Sequence, residues 1–183
     1  VFDRERFGRE LQGLANEAIG ARFLPGETPQ RQWAFMMAKE ALFPDLAYSP
    51  QKDFDLLSVI IRYPNVLVTR PDFPANNVAE LIDYLKKNPK KVSFPSSGNG
   101  SSDHLTAELF WQKTGTSGIH VPYKGAGRAH ADIMGGHADV SFQNLGSVSS
   151  YVKAGKMKIL GVTAEKRHPV FPDVPTMAEA GVK

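Results

Sequence analysis

The sequence predicts an α/β domain with a largely parallel sheet flanked by helices, and three observations predict it. From Phe54 onward, short β-branched or apolar runs alternate with stretches of helical periodicity. Glycines at Gly115, Gly125, Gly135-Gly136 and Gly155 mark short connections between them. The composition, 42% hydrophobic and 22% charged over 183 residues, suits one domain, or one plus part of another.

The elements follow in chain order. Residues 3–19 place Phe7, Leu11, Leu14, Ala15, Ala18 and Ile19 on one helical face, and Pro25, Gly26 and Pro29 then mark a turn. A second helix is expected over 31–42, its Trp33, Phe35, Met36 and Met37 serving a core until Pro44 ends it. Residues 56–61 and 66–69 read as buried strands separated by Tyr63-Pro64-Asn65. Asn76-Asn77 offers an N-cap to a helix over 78–88, with Val78, Leu81, Ile82 and Leu85 inward. Val92-Ser93-Phe94 is a short strand leading into a Gly/Ser turn. A helix over about 102–113 follows, with Leu105, Leu109 and Phe110 expected inward. Further strands are expected at 119–122, 140–142 and 159–163, with helices around 128–134 and 148–154 between them.

Several function classes are excluded at this level. The net charge is +3, from 22 Lys and Arg against 19 Asp and Glu, and the signs are interspersed. The basic cluster at Lys86-Lys87 and Lys90-Lys91 ends a helix, where cations complement the dipole, so no nucleic-acid partner is expected. Absence of cysteine removes thiolate chemistry, Cys-ligated zinc and disulfides. No apolar run reaches the roughly 18 residues a transmembrane helix needs. The charged start, Val1-Phe2-Asp3-Arg4-Glu5-Arg6, does not read as a secretory signal. The five histidines give neither His-x-x-x-His nor His-Glu-x-x-His, so no metal is expected. His104, His130, His137 and His168 read as surface or structural, and His120 as a satisfied strand histidine.

The chemistry centres on Ser96-Ser97-Gly98-Asn99-Gly100-Ser101-Ser102, between a strand and a helix. Glycines let the backbone approach a ligand closely, and the first-turn amides of the helix attract an anion such as a carboxylate. Serine hydroxyls at 96, 97, 101 and 102 add donors, and Ser101 or Ser102 can cap the helix. Asp103 stands where a dinucleotide fingerprint needs a small residue, and it would repel a polyphosphate. No Gly-Lys-Ser/Thr follows for a P-loop, and no Gly-x-Ser-x-Gly elbow occurs. Ser101, Asp103 and His104 lie too close on one helix to form a relay, which leaves an enzyme as a distant reading. On residues alone, a ligand site and an ordinary capped turn are both open.

From about Leu42 the chain resembles the Bug-type receptors of tripartite tricarboxylate transporters. The matching segments keep the family's order: Leu46–Phe54, Pro64–Val68, Ser97–Leu105 continuing to Ala107–Phe110, His120–Gly125, Lys153–Lys156, and Pro172–Thr176 followed by Ala178–Gly181. The resemblance implies a type II periplasmic-binding, Venus-flytrap fold that clamps a small carboxylate between two lobes, in the periplasm, without chemistry or cofactor. The ligand would be a di- or tricarboxylate, an acidic amino acid or an aromatic acid, and the partners membrane transporter subunits. It assigns the second lobe's half of the clamp to Ser97, Gly98, Gly100, Ser101 and Ser102, and Ser96, Asn99 and His104 are candidate ligand-binding residues beside them. Tyr123, Lys124 and Gly125 would line the same cleft, with Asn144 at its edge. Lys124 is open between a salt bridge to the ligand and a solvated role. The family's opening strand and glycine-rich loop have no match in residues 1–41. The expectation is therefore an incomplete first lobe, with divergent helices over 1–37, first-lobe remnants over 38–67 and 163–183, and a second lobe over 68–162. An incomplete lobe leaves apolar surface uncovered, so a non-binding, self-associating protein is the alternative.

Overall fold

A computed structural model describes residues Tyr63–Val182. The chain divides after Arg62, and the unit described is the second, Tyr63–Lys183. The helices expected over 3–19 and 31–42, the strand over 56–61, the segment Leu46–Phe54 and the N-terminal region 1–37 lie outside the described residues.

Strands and helices alternate through the unit: β1 (Asn65–Thr69), α1 (Val78–Lys87), β2 (Ser93–Ser96), α2 (Ser102–Thr114), β3 (Ile119–Pro122), α3 (Ala126–Met134), β4 (Val140–Asn144), α4 (Leu145–Lys153) and β5 (Lys158–Val162). Local chemistry sets the ends. The Asn77 side chain accepts from Glu80 N–H at 2.9 Å, while Glu80 reaches back to Asn76 N–H at 2.8 Å, a reciprocal cap for α1. Lys86 and Lys87 occupy its last turn, as the dipole favours. Gly115, at φ 62°, terminates α2 in the left-handed conformation.

β1 lies between β4 and β5 and is antiparallel to both. β2 pairs with β3 in parallel. Side chains join the two groups of strands. Ser93 N–H donates to Asp139 Oδ2 at 2.9 Å, and Ser141 Oγ donates to the carbonyl of Pro95, whose nitrogen has no hydrogen for a ladder. Residues 93 and 139, then 95 and 141, advance together, so β2 and β4 run the same way. The spatial order is therefore β3-β2-β4-β1-β5, with only β1 reversed. The parallel-rich expectation holds for direction, although both backbone ladders of β1 are antiparallel.

Alternation along β1 divides the core. Leu67 faces a cluster with Val78, Leu81 and Leu85 of α1 and Phe110 and Trp111 of α2. Val66 and Val68 face Ile133 of α3 and Leu145 and Val148 of α4. The result is three layers, with helices on both faces of the sheet.

Two expectations are corrected. Leu109 faces solvent at 40% exposure and Leu105 is only half-buried, because the inner face of α2 carries Asp103, His104 and Glu108 before Phe110 and Trp111. His104 and His130 are buried rather than superficial: His130 Nε2 lies 2.8 Å from Gln143 Oε1, within a chain that continues from Gln143 Nε2 to Ser141. Asn65–Thr69 is one strand at the middle of the three-stranded group. After β5, residues 163–182 return to its edge. Val162 N–H donates to Pro175 O and Met177 N–H to Val162 O, both at 2.9 Å, and Met177, Ala180 and Val182 pack on the α1/α2 core.

Candidate functional site

Parallel direction puts the C-terminal ends of β2, β3 and β4 on one edge, where α2, α3 and α4 begin. In open α/β sheets this is the edge that receives ligands. The Gly/Ser turn leaves β2 here, Tyr123-Lys124-Gly125 leaves β3, and Asn144 ends β4 opposite Asn65 of reversed β1. Two backbone bonds tie the first two loops together: Tyr123 N–H donates to Ser96 O at 2.9 Å and Gly125 N–H to Ser97 O at 3.0 Å. Gly98 sits at φ 147°, and a Cβ there would stand 3.3 Å from Tyr123 O, so both conformation and space favour glycine.

Within the turn, many polar groups serve the turn itself. Ser101 Oγ caps α2 by accepting from His104 N–H at 3.4 Å. Gly100 N–H donates to His104 Nδ1 at 3.0 Å, which makes Nδ1 the acceptor and leaves the proton of a neutral ring on Nε2, facing Glu108 Oε1 at 3.8 Å. The His104 ring stacks on His120 with centroids 3.8 Å apart and planes 8° from parallel. His120 Nε2 in turn lies 2.7 Å from Ser96 Oγ, which accepts from Gly98 N–H at 3.2 Å. Burial, and next the adjacent His104, push the His120 imidazole down to about 4 against weaker opposition from Glu108 and Asp103. The two stacked rings therefore support the turn from below.

Asp103 is the largest surprise. The sequence marks it as a residue that repels anions, yet it is buried and organises the turn. Its Oδ2 accepts from Ser97 N–H at 2.7 Å and Ser97 Oγ–H at 2.6 Å, and its Oδ1 accepts from Ser102 Oγ–H at 3.1 Å. A carboxylate in the first turn is also favoured by the helix dipole.

The twelve residues singled out from sequence thus separate. Asn99, Ser102 and Lys124 are exposed on the edge, with Ser97, Gly98, Ser101, Gly125 and Asn144 half-buried beside them. Ser96, Gly100 and His104 are buried and support the turn from within. The Tyr123 hydroxyl donates to Asp132 of α3 in a short hydrogen bond, which raises the phenol's pKa and commits the side chain to that helix. Asn144 Oδ1 caps α4 by accepting from Gly146 N–H at 3.0 Å. Lys124 is exposed.

Sequence reasoning missed Asp103 and His120 as parts of the turn, and it missed Asn65. The Asn65 amide donates to Thr106 Oγ1 at 2.9 Å and Ser102 O at 3.3 Å, tying β1 to the first turn of α2. It also missed the start of α3, two residues earlier than expected, whose N-cap Gly125 supplies no side-chain acceptor. Its first-turn amides open beside those of α2. Only Asp103 carried a legible signal, as an acid two residues after a capping serine. Among the described residues, no three His, Asp or Glu side chains gather as a metal site requires, and no helix is long and apolar enough to cross a membrane.

Comparison with known proteins gives a consistent result. The family described as "Tripartite tricarboxylate transporter family receptor" matches residues 31–183. A UPF0065 protein of Agrobacterium vitis is 36% identical over 143 residues, covering 78% of this chain and 41% of the relative. Protein BugT of Bordetella pertussis is 35% identical over 141 residues, covering 77% and 43%. Among solved structures, Rpa4515 of R. palustris with adipate superposes with a TM-score of 0.71 at 38% identity, covering 74% of this chain and 45% of that one. MatC of Rhodopseudomonas palustris with bound malate gives 0.72 at 30% identity, covering 77% and 48%. The chain spans less than half the length of each of these relatives.

Proposed function

The chain belongs to the tripartite tricarboxylate transporter receptor family, and on that premise we propose that Tyr63–Val162 is one lobe of a solute receptor that binds a small carboxylate without transforming it. The observation that carries this reading is the shared edge. There the starts of α2 and α3 lie side by side, held by the bonds from Tyr123 and Gly125 to Ser96 and Ser97. Helix starts offer amides without intrahelical acceptors and a positive end of the dipole, and both attract a carboxylate. Exposed Asn99 and Lys124 add side-chain donors on the same edge. The adipate and malate held by the two structural relatives fit this chemical class. Receptors of this family are periplasmic, and the same compartment, with transporter subunits as partners, is proposed for this protein. Residues 163–182 rest on this lobe.

The test is a titration of the ¹⁵N-labelled 183-residue chain with malate, adipate and other carboxylates, followed by amide shifts. The expected result is saturable movement of Asn99, Ser102 and Gly125. Titrations up to the solubility limit that leave all three unmoved overturn the reading. Self-association, the alternative, has less to support it. Among the described residues, the exposed large apolar side chains Tyr63, Leu109, Ile119 and Val170 are scattered over different elements, as on an ordinary surface.

A further inference from the structure

Building on that receptor reading, we infer that Asp103 reverses the hydrogen-bonding polarity of the serine turn, so that the lobe selects a carboxylate whose neighbouring atom carries a donor, a hydroxyl or an ammonium. A serine hydroxyl has one hydrogen and two lone pairs. Ser97 Oγ stands 2.6 Å from Asp103 Oδ2, and an ionised carboxylate can only accept, so the Ser97 hydrogen is committed inward. The same Asp103 oxygen takes the Ser97 N–H at 2.7 Å, which removes a second donor from the turn. Ser102 Oγ, 3.1 Å from Oδ1, is oriented likewise. Gly98 N–H and Gly100 N–H are also engaged, with Ser96 Oγ and His104 Nδ1. Half-buried Ser97 and exposed Ser102 therefore show lone pairs, not hydrogens, to a bound molecule.

A plain carboxylate oxygen meeting these two hydroxyls would face acceptor against acceptor, with the fixed negative charge of Asp103 behind them. A ligand hydroxyl or ammonium meets a matched acceptor instead. The carboxylate itself is then received beside them by Asn99, Lys124 and the first-turn amides of α3. Asp103 touches no ligand in this scheme. It is a positioning residue that acts through Ser97 and Ser102, and its effect is a ratio of affinities rather than an affinity.

The test pairs malate with succinate, which differ by one hydroxyl, and adds aspartate, which carries an ammonium. Amide-shift titrations of the full 183-residue chain give each affinity. The expected result is at least about tenfold tighter binding of malate and aspartate than of succinate, since a site built for a donor disfavours the analogue without one. Asp103→Ala frees both hydroxyl hydrogens and should bring the ratio close to one. A merely structural loss would weaken all three ligands together and leave the ratio standing. Should Asp103→Ala not fold, Ser97→Ala keeps the Ser97 N–H bond to Asp103 and should lower the ratio by itself. Equal or tighter succinate binding by the unaltered chain overturns the inference while leaving the receptor reading intact, as does an unchanged ratio in the variants. Binding of none of the three overturns the inference, and the receptor reading falls with it only if adipate and the other carboxylates also leave the chain unmoved. Formate gives a further readout: it should raise the melting temperature of Asp103→Ala, by filling the vacated place, by more than that of the unaltered chain. No rise in the folded variant counts against Asp103 as the group that engages the turn's donors.

Discussion

Acidification offers a direct measure of the stacked histidines under the turn. Burial first, and the neighbouring His104 second, push the His120 imidazole down to about 4 in the folded protein, against 6.5 for an ordinary histidine. Between those two values the unfolded chain binds more protons at this site than the folded one, so stability must rise with pH across that window. The contribution is complete above pH 6.5, declines as pH falls below it, and is lost once pH passes 4. A shift of this size would correspond to roughly 3 kcal/mol if all of it reached the fold. Since the ring is only half-buried and solvent screens it, about 1–2 kcal/mol is the expected loss. Urea melts of the chain and of His120→Gln at intervals from pH 7.5 to 4 isolate the effect, because other carboxylates titrate in both proteins and cancel in the difference. The unaltered protein should lose stability more steeply than the variant below pH 6.5. Parallel curves, or a His120 ring proton that titrates near 6.5 by NMR, would refute a buried His120 held neutral by its surroundings.

Two further substitutions probe the frame that holds the site. Gly118→Ala puts a Cβ within 2.7 Å of the Phe94 and Trp111 rings, which meet edge-to-face at 4.9 Å, so about 1–3 kcal/mol of stability should be lost in denaturant melts. Lys158→Met removes an ammonium that donates to Phe73 O at 2.6 Å, Ala75 O at 3.1 Å and Asn76 Oδ1 at 2.9 Å; a loss of about 1–3 kcal/mol is expected, with faster hydrogen exchange over residues 70–77.

Much of this architecture is legible in the residues themselves. The β-branched run at 66–69, the Asn77 cap and the Gly115 stop are local signals, and the alternation they mark calls for an α/β sheet. The glycines at 98 and 100 and the serines around them identify the ligand turn, because close backbone approach and helix capping depend on residue type more than on surroundings. The ordered motifs from Pro64 onward carry the family in the same way. What sequence periodicity could not supply is the reversed direction of β1, which depends on strand pairing between residues far apart, or the seam of Ser93, Pro95, Asp139 and Ser141 that joins β2 to β4.

The tertiary structure also decided the roles within the turn. Asp103 reads as a repellent charge in sequence, but burial beside Ser97 and Ser102 makes it the acceptor around which the turn is built. His104 and His120 lie 16 positions apart, and only the β2–β3 pairing brings their rings into a stack. The residue types determined which groups are able to hold a carboxylate. Packing decided which of those groups are already in use, because a hydrogen bond made inside the fold is no longer available to a ligand.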